Sequence, residues 1–447
     1  MIRRAFLSMI AVLILMMLVG GTTFLISYHH QKARYDILDE EGPHPRIAKA
    51  RTGPIPLFKV AKAIGWKAGA GPIPAAGLKV QPFAAGLAHP RWLLVLPNGD
   101  VLVAESGGPA RPGNQPGIRG WIEKMIQEEA GAATKSPDRI TLLRDTNGDG
   151  MADQRSVLLS GLHSPLGMAL VGSQLYVADT DALLRFPYTP GQTRISARPQ
   201  KMVDLPAGPI NHHWTKNVIA APDGSRLYVS VGSNSNVGER GQQAEQGRAA
   251  IWEIDPRTGR HRIYAYGLRN PVGMDWEPTT HALWTVVNER DGLGSDLVPD
   301  FLTSVQFGGF YGWPWYYWGG HADKRPKDPP PDLIEDTVIT PDYSVGPHTA
   351  SLGLAFAKGP SLGPAFAQGA FVGQHGSWNR DPVSGYKVVF VKFAKGQAVG
   401  KPVDVLTGFL TRKGEAQGRP VGVAIARDGA LLVADDVGNA VWRVSAR

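Results

Sequence analysis

Histidine, arginine and asparagine recur just ahead of apolar runs at widely separated points of this 447-residue chain. His163, His213 and Arg269 share one position of an aligned unit. His89, Ser164, Asn270 and Arg419 share the next, and His348 lies one place earlier in its own unit. An imidazole, with an ordinary pKa of about 6.5, moves protons near neutrality, and a guanidinium grips carboxylates through paired charge-assisted hydrogen bonds. A single His or Arg in such a place is usually a loop residue, but a hydrophobic repeat has no need of a matched set. The set implies a site for an anionic or polar ligand, with proton transfer available.

Asp145-Thr-Asn-Gly-Asp-Gly-Met-Ala-Asp153 is a second constellation. Asp145, Asn147, Asp149 and Asp153 stand at positions 1, 3, 5 and 9 with Gly150 at 6, as in the first part of a calcium loop. Position 12 is Ser156 where the bidentate Glu belongs, so a structural calcium site and a plain Asx-rich turn both fit. The run Phe310-Tyr-Gly-Trp-Pro-Trp-Tyr-Tyr-Trp318 could stack on a ring, or simply fill a core. With no cysteine, disulfides, thiolate metal sites and thiol nucleophiles are excluded. Nucleotide fingerprints and hydrolase elbows are missing, and the net charge of +8 is spread rather than striped, which argues against nucleic acid.

The elements that position these residues are hairpins. Gly86-Leu-Ala-His-Pro, Gly161-Leu-His-Ser-Pro and Gly267-Leu-Arg-Asn-Pro each lead into an apolar strand, and looser copies begin at His212, Pro347 and Gly418. Turns such as Pro97-Asn98-Gly99, Pro222-Asp223-Gly224 and Arg427-Asp428-Gly429 join each strand to a second one rich in Val, Leu and Tyr. The 54 Gly and 36 Pro supply such turns throughout. Six units at roughly 50–85-residue spacing predict an all-β, six-bladed β-propeller, closed by a blade that both chain ends share. Corresponding positions then face one end of a central channel, where the polar set converges. Trp121 to Glu129 reads as a short inserted amphipathic helix, and 319–345 as a Pro-rich loop.

Ahead of the propeller, Ala5 to Tyr28 is an uncharged, mostly apolar run long enough as a helix, at about 36 Å, to cross a hydrocarbon core. It exceeds a secretory core segment and no small-residue cleavage site follows, which favours an uncleaved anchor. Arg3-Arg4 reads as a positive flank or a twin-arginine signal. The chain thus divides into a transmembrane or signal-anchor segment (1–28), a linker and lead-in (29–80) and the propeller (81–447).

Residues 80–447 resemble the sugar dehydrogenases that use pyrroloquinoline quinone (PQQ), especially their L-sorbosone/pyranose dehydrogenase branch. The resemblance rests on Gly267-Leu-Arg-Asn-Pro, Gly308-Gly-Phe-Tyr-Gly-Trp-Pro314, His213 ahead of its strand and Pro-Asp-Gly turn, Asn288-Glu-Arg-Asp291 and Gly418-Arg-Pro. It implies a six-bladed fold, PQQ and Ca²⁺ as cofactors, a sugar substrate, and a quinone or cytochrome as acceptor. His213 resembles the family's general base. Arg269 and Asn270 resemble the pair on the quinone oxygens, with Arg269 also stabilising the charge that develops there. Arg419 resembles a carboxylate-binding arginine, and His163 a cofactor contact. His348 joins this cofactor set by its repeat position. The family's cofactor-bound calcium is held by backbone carbonyls in the segment matching Arg290–Asp291.

There are departures from the family pattern. His212 stands where the glucose enzymes have Asp, and Val421 replaces the second Arg of an Arg-x-Arg pair. Arg380 is the candidate replacement for a Lys that the glucose enzymes carry. The implied location is the membrane, with the propeller facing the periplasm, or the periplasm itself if the first segment is cleaved. The rival readings are a calcium-dependent sugar lactonase, which needs carboxylates and amides at the channel, and a non-catalytic binding propeller, which needs no His/Arg set.

Overall fold

The computed structural model describes residues 2–109, 125, 128–131 and 134–447, without the side chains of 2–9 and 11–13. Most of the expected helix at Trp121 to Glu129 therefore lies outside the described residues. Six antiparallel sheets are arranged as blades. The innermost strands are Pro90–Val95, Met168–Val171, Lys216–Ala220, Pro271–Trp276, Ser351–Phe356 and Pro420–Ile425, and successive ones contact each other around the channel. Three further strands complete each blade outward, and the sixth blade takes its outermost strand, Leu78–Ala85, from before the first. The ring is closed by the two ends of the repeat region, as the sequence predicts.

Second strands such as Val101–Glu105 and Leu227–Val231 are buried along their whole length. Side chains alternate between the two faces of a strand, so Leu102 and Ala104 pack toward blade 2 while Val101 and Val103 pack toward blade 6. Six apolar clusters of this kind join neighbouring blades around the ring. The Gly-Met, Gly-Leu and Gly-Val pairs of the repeat have a steric cause. A Cβ on Gly167 would lie 2.2 Å from Val218 N, and one on Gly353 2.2 Å from Val421 O, so the inner strands meet only where a side chain is missing.

Inner strands begin at one face of the ring, the mouth, and the first hairpin turns lie at the other. The Asp145–Asp153 loop joins Arg139–Arg144 to Gln154–Ser160 at that opposite face. The aromatic run is core: Phe310, Tyr311, Trp313, Tyr316 and Tyr317 are all buried. The Pro-rich loop ends earlier than expected, because Tyr343–Pro347 is the fourth strand of blade 4.

Where the sequence suggested a linker over 29–80, the structure has a packed arm. Glu41–Gly42 adds a fifth strand to blade 4 and Ile73–Pro74 one to blade 5. Ahead of it runs a helix, Ile2–Gln31, in which Ser27 and Gln31 are buried while Ile14 to Val19 and Phe24 to Ile26 are exposed. No helix is long and apolar enough among the described residues to cross a membrane.

Candidate functional site at the channel mouth

The residues that close the second strand of each blade position the loop ahead of the first. Asp179 accepts the His163 backbone N–H at 2.9 Å, Asp435 that of Arg419 at 2.8 Å, and Glu105 that of Ala88. The repeated acids at the ends of these strands therefore anchor the segments that carry the polar set.

At the mouth of blades 3 to 5, five of the expected residues come together: His213, Arg269, Asn270, Asp291 and His348. The backbone N–H of Ser233 donates to Arg269 O at 2.7 Å, and that of His213 to Ser233 O at 3.3 Å. His213 Nδ1 lies 2.9 Å from both Ser233 O and Ser233 Oγ. Ser233 Oγ donates its own hydrogen to Ser235 O at 2.6 Å, so it can only accept from the ring. Nδ1 therefore carries the proton, and the basic lone pair of neutral His213 is on Nε2. Asn270, buried beside it, has an Oδ1 with no hydrogen-bond partner among the described residues.

Arg269 is buried and fully committed. Nε donates to Asn236 O at 3.1 Å, Nη1 to Glu289 O at 2.7 Å and Asn288 O at 3.2 Å, and Nη2 to Asn236 Oδ1 at 2.9 Å and Asp291 Oδ2 at 3.3 Å. It ties the mouth loops of blades 3 and 4 together and has no donor left over. Asp291 is half-buried, which by itself raises a carboxyl, but His348 Nδ1 at 3.3 Å, Arg269 and the Asn379 amide at 2.8 Å hold it at about 2. Burial works against a charged His348, yet Asp291 and Gly294 O, 3.0 Å from Nε2, raise its pKa above the ordinary value.

Arg419 sits apart, on blade 6. Its guanidinium lies 4.8 Å over the Tyr386 ring and donates to Ala61 O and His375 O, while its buried Nε has no partner among the described residues. His163 is exposed on blade 2 and pairs with Asp181 at 2.9 Å, outside the blade 3–4 network. Arg380 is spent on Ser295 O, Pro382 O and Glu40, and so bonds the arm rather than presenting a free cation.

At the expected calcium positions, the Asp291 carbonyl and the loop carboxylates are engaged in hydrogen bonds within the protein. The Asp291 carbonyl already accepts from Arg325 Nη1 at 2.7 Å and Asn236 Nδ2 at 3.1 Å, and Arg290 is buried against Glu289, Pro314 O and Tyr316 O. In the other loop Asp145 accepts from Gly148 and Gly150 N–H, Asp153 from Thr146, and Asp149 from Met151 N–H and the Asn147 amide. Among the described residues no three His, Asp or Glu side chains are grouped to hold a metal.

Two features escaped the sequence reading. Lys216, on the inner strand of blade 3, is buried, with Trp214 O at 3.2 Å and no carboxylate paired to it among the described residues. Burial, with Arg248 nearby, lowers its pKa well below the ordinary value. At the other side of the channel Asp436 joins His375 Nε2 at 2.9 Å and Arg91 Nη1 at 2.5 Å. Burial lowers His375 to about 4, against the pull of Asp436. The repeated acids at strand ends point to Asp435, not to its neighbour Asp436, and nothing in the spacing signals Lys216.

A closed six-bladed propeller that gathers an imidazole, an amide and guanidinium groups at its mouth is a propeller with a site suited to a polar or anionic ligand. The chain belongs to the TrAA12-like family, whose model matches residues 134–300 and 332–447. It is 24% identical over 426 residues to the PQQ-dependent pyranose dehydrogenase of Coprinopsis cinerea, covering 82% of this chain and 53% of that protein. The chain thus spans about half the length of that relative. An uncharacterized protein of Borreliella burgdorferi is 27% identical over 300 residues, 63% of this chain and 76% of that protein. The holo form of the Coprinopsis pyranose dehydrogenase PQQ domain superposes with a TM-score of 0.65 at 21% identity, covering 87% of this chain and all of that one.

Proposed function

We propose that the protein is a PQQ-dependent sugar dehydrogenase in which His213 is the general base. The observation that carries this reading is the fixed tautomer of His213, with Nδ1–H held by Ser233 and the basic Nε2 opposite, beside the unpartnered Oδ1 of Asn270. The donor set fits a tricarboxylate: Arg419 keeps a buried Nε without a partner among the described residues, and the buried Lys216 amine has no carboxylate paired to it among them. PQQ, when bound, accepts two electrons as a hydride from the substrate carbon. The chain does the rest. His213 Nε2 takes the hydroxyl proton, and the Ser233 carbonyl and hydroxyl oxygens keep the imidazolium that results in its orientation. Arg269 holds the loops of blades 3 and 4 at fixed spacing. No step of this reading runs through calcium: the Asp291 carbonyl accepts from Arg325 and Asn236, and the Asp145–Asp153 carboxylates accept from their own loop.

The substrate is an aldose or ketoaldose, and the electrons pass to a respiratory acceptor. The N-terminal helix anchors the propeller to the membrane on its periplasmic side. The uncharged run from Ala5 to Tyr28 and the exposure of Ile14 to Val19 and Phe24 to Ile26 support the anchor.

The test is titration of the purified protein with PQQ, followed by cofactor absorbance and by dye reduction with aldoses. Saturable binding with sugar-dependent reduction is expected. His213→Ala should retain the cofactor while turnover falls roughly 10²–10⁴-fold, the usual contribution of a general base. No binding at micromolar PQQ would overturn the reading.

A further inference from the structure

The N-terminal helix does not leave the propeller at an arbitrary point. Its last turn is built into the mouth. Gln31 O accepts the Ser295 backbone N–H at 2.9 Å, and Tyr28 donates to Asp381 at 2.7 Å. Gln31 and Ser27 are locked to Ile55 O at 2.7 Å each. Ser295 directly follows Gly294, whose carbonyl is bonded to His348. The helix therefore ends within one residue of the Asp291–His348 pair, and the apolar side chains of Ile14 to Ile26 project from the face that carries the candidate site.

The arm that follows stays on this face. Phe58 stacks on Trp378 of the blade 5 mouth loop at 5.7 Å, Ile64 N–H donates to Ala416 O at 2.8 Å, and Trp66 reaches Asp435 at 2.7 Å. Tyr35, Phe58 and Ile64 nevertheless remain 37–45% exposed. Residues 29–67 contain eight Lys and Arg against four Asp and Glu; Lys32 and Lys59 pair with Asp381, which leaves six, and Glu40 and Glu41 are buried. Exposed aromatic and aliphatic tips among basic residues, continuous with an apolar helix, form a surface suited to anionic headgroups, and the charge adds a second attachment to the helix.

We propose that the mouth face of the propeller lies against an anionic bilayer surface, so that the candidate site opens toward the lipid rather than toward bulk water. This rests on the membrane-anchor part of the proposed function and is independent of the cofactor. Substrate then enters, and electrons leave, through the space between the propeller and the headgroups. The hydrogen bonds at Gln31, Ser27 and Tyr28 hold the body in this attitude instead of letting it swing on a tether.

The absence of native cysteine allows a direct test with single labels on the full chain. Phe58→Cys and Ile64→Cys place a fluorophore on the mouth face. Lys358→Cys places one in an exposed turn at the opposite face of blade 5. The proteins are reconstituted in phosphatidylcholine vesicles with phosphatidylglycerol, and quenching by lipids spin-labelled near the headgroup is read. Quenching at 58 and 64 several-fold above that at 358 is expected, and equal quenching at all three sites overturns the proposal. In vesicles of phosphatidylcholine alone, quenching at 58 and 64 should weaken, and an unchanged value overturns the assignment to anionic headgroups. Vesicle flotation separates the two readings: protein that does not float refutes the anchor, whereas protein that floats with unquenched mouth labels refutes the orientation.

Discussion

His213 and Asn270 both occupy the space in which a side chain on Gly232 would stand. A Cβ at that position would lie 2.5 Å from His213 Cβ and 2.3 Å from Asn270 Oδ1. The base and the amide are thus set by the close approach of the chain that follows the second strand of blade 3. Gly232→Ala should cost about 1–3 kcal/mol of stability, as overpacking does, and should displace both side chains. Thermal denaturation and dye reduction at saturating PQQ check this. A folded Gly232→Ala protein with wild-type turnover would show that neither side chain is placed for the reaction.

The two arginines of the site should separate experimentally. Arg269 has every donor bonded inside the protein, so Arg269→Ala removes a buried, ion-paired hub. A loss of roughly 3–5 kcal/mol is expected, seen in denaturant unfolding with or without PQQ. Arg419 keeps a buried Nε without a partner. Arg419→Gln should therefore weaken PQQ binding tenfold or more, which is about 1.4 kcal/mol, with a smaller change in unfolding. Equal effects of both variants on cofactor affinity and on stability would remove the distinction.

The repeat made much of this legible. Turns such as Pro97-Asn98-Gly99 fix hairpins, and largely apolar second strands such as Leu227–Val231 imply burial on both faces; together they give the blades and their number. The alignment also put His213, Asn270 and Arg269 at one rim, because residues that precede inner strands must face the mouth. It could not show where a long side chain ends. Arg269 and Arg380 look like free cations in the sequence, but apart from Pro382 O their partners are carbonyls, an amide and carboxylates from segments 19 to 340 residues away. The arm was illegible for a similar reason: Glu41–Gly42 and Ile73–Pro74 are two-residue strands, too short for any period to register.

His375 and Asp436 predict a definite pH dependence. Burial holds folded His375 at about 4, whereas in the unfolded chain it titrates at about 6.5. Between these values the unfolded state binds the extra proton, so this group makes stability rise with pH across that window and be lost as pH falls through it. The Asp436 carboxyl, depressed despite burial by His375, Arg91 and His89, adds stability that is lost at still lower pH. His375→Gln should flatten the melting temperature between pH 4 and 6.5 and leave its shape above pH 7 unchanged. An unaltered slope in the variant would mean that His375 does not titrate in this way.

The acidic loop on the opposite face makes the last prediction. Asp145 is capped by the Gly148 and Gly150 N–H groups at 2.7 and 2.8 Å, and Asp153 by Thr146, so these carboxylates already do structural work without a metal. Asp145→Ala should lower stability by about 0.5–2 kcal/mol, the scale of losing a side-chain cap on backbone donors. The loss should be the same in calcium and in chelator, because a bound ion would add a stabilisation that depends on its concentration. Turnover should be unchanged, since the loop lies at the far end of blade 1 from His213. A chelator-induced drop in melting temperature in wild type that is missing in Asp145→Ala would instead show that the loop opens its carboxylates to calcium.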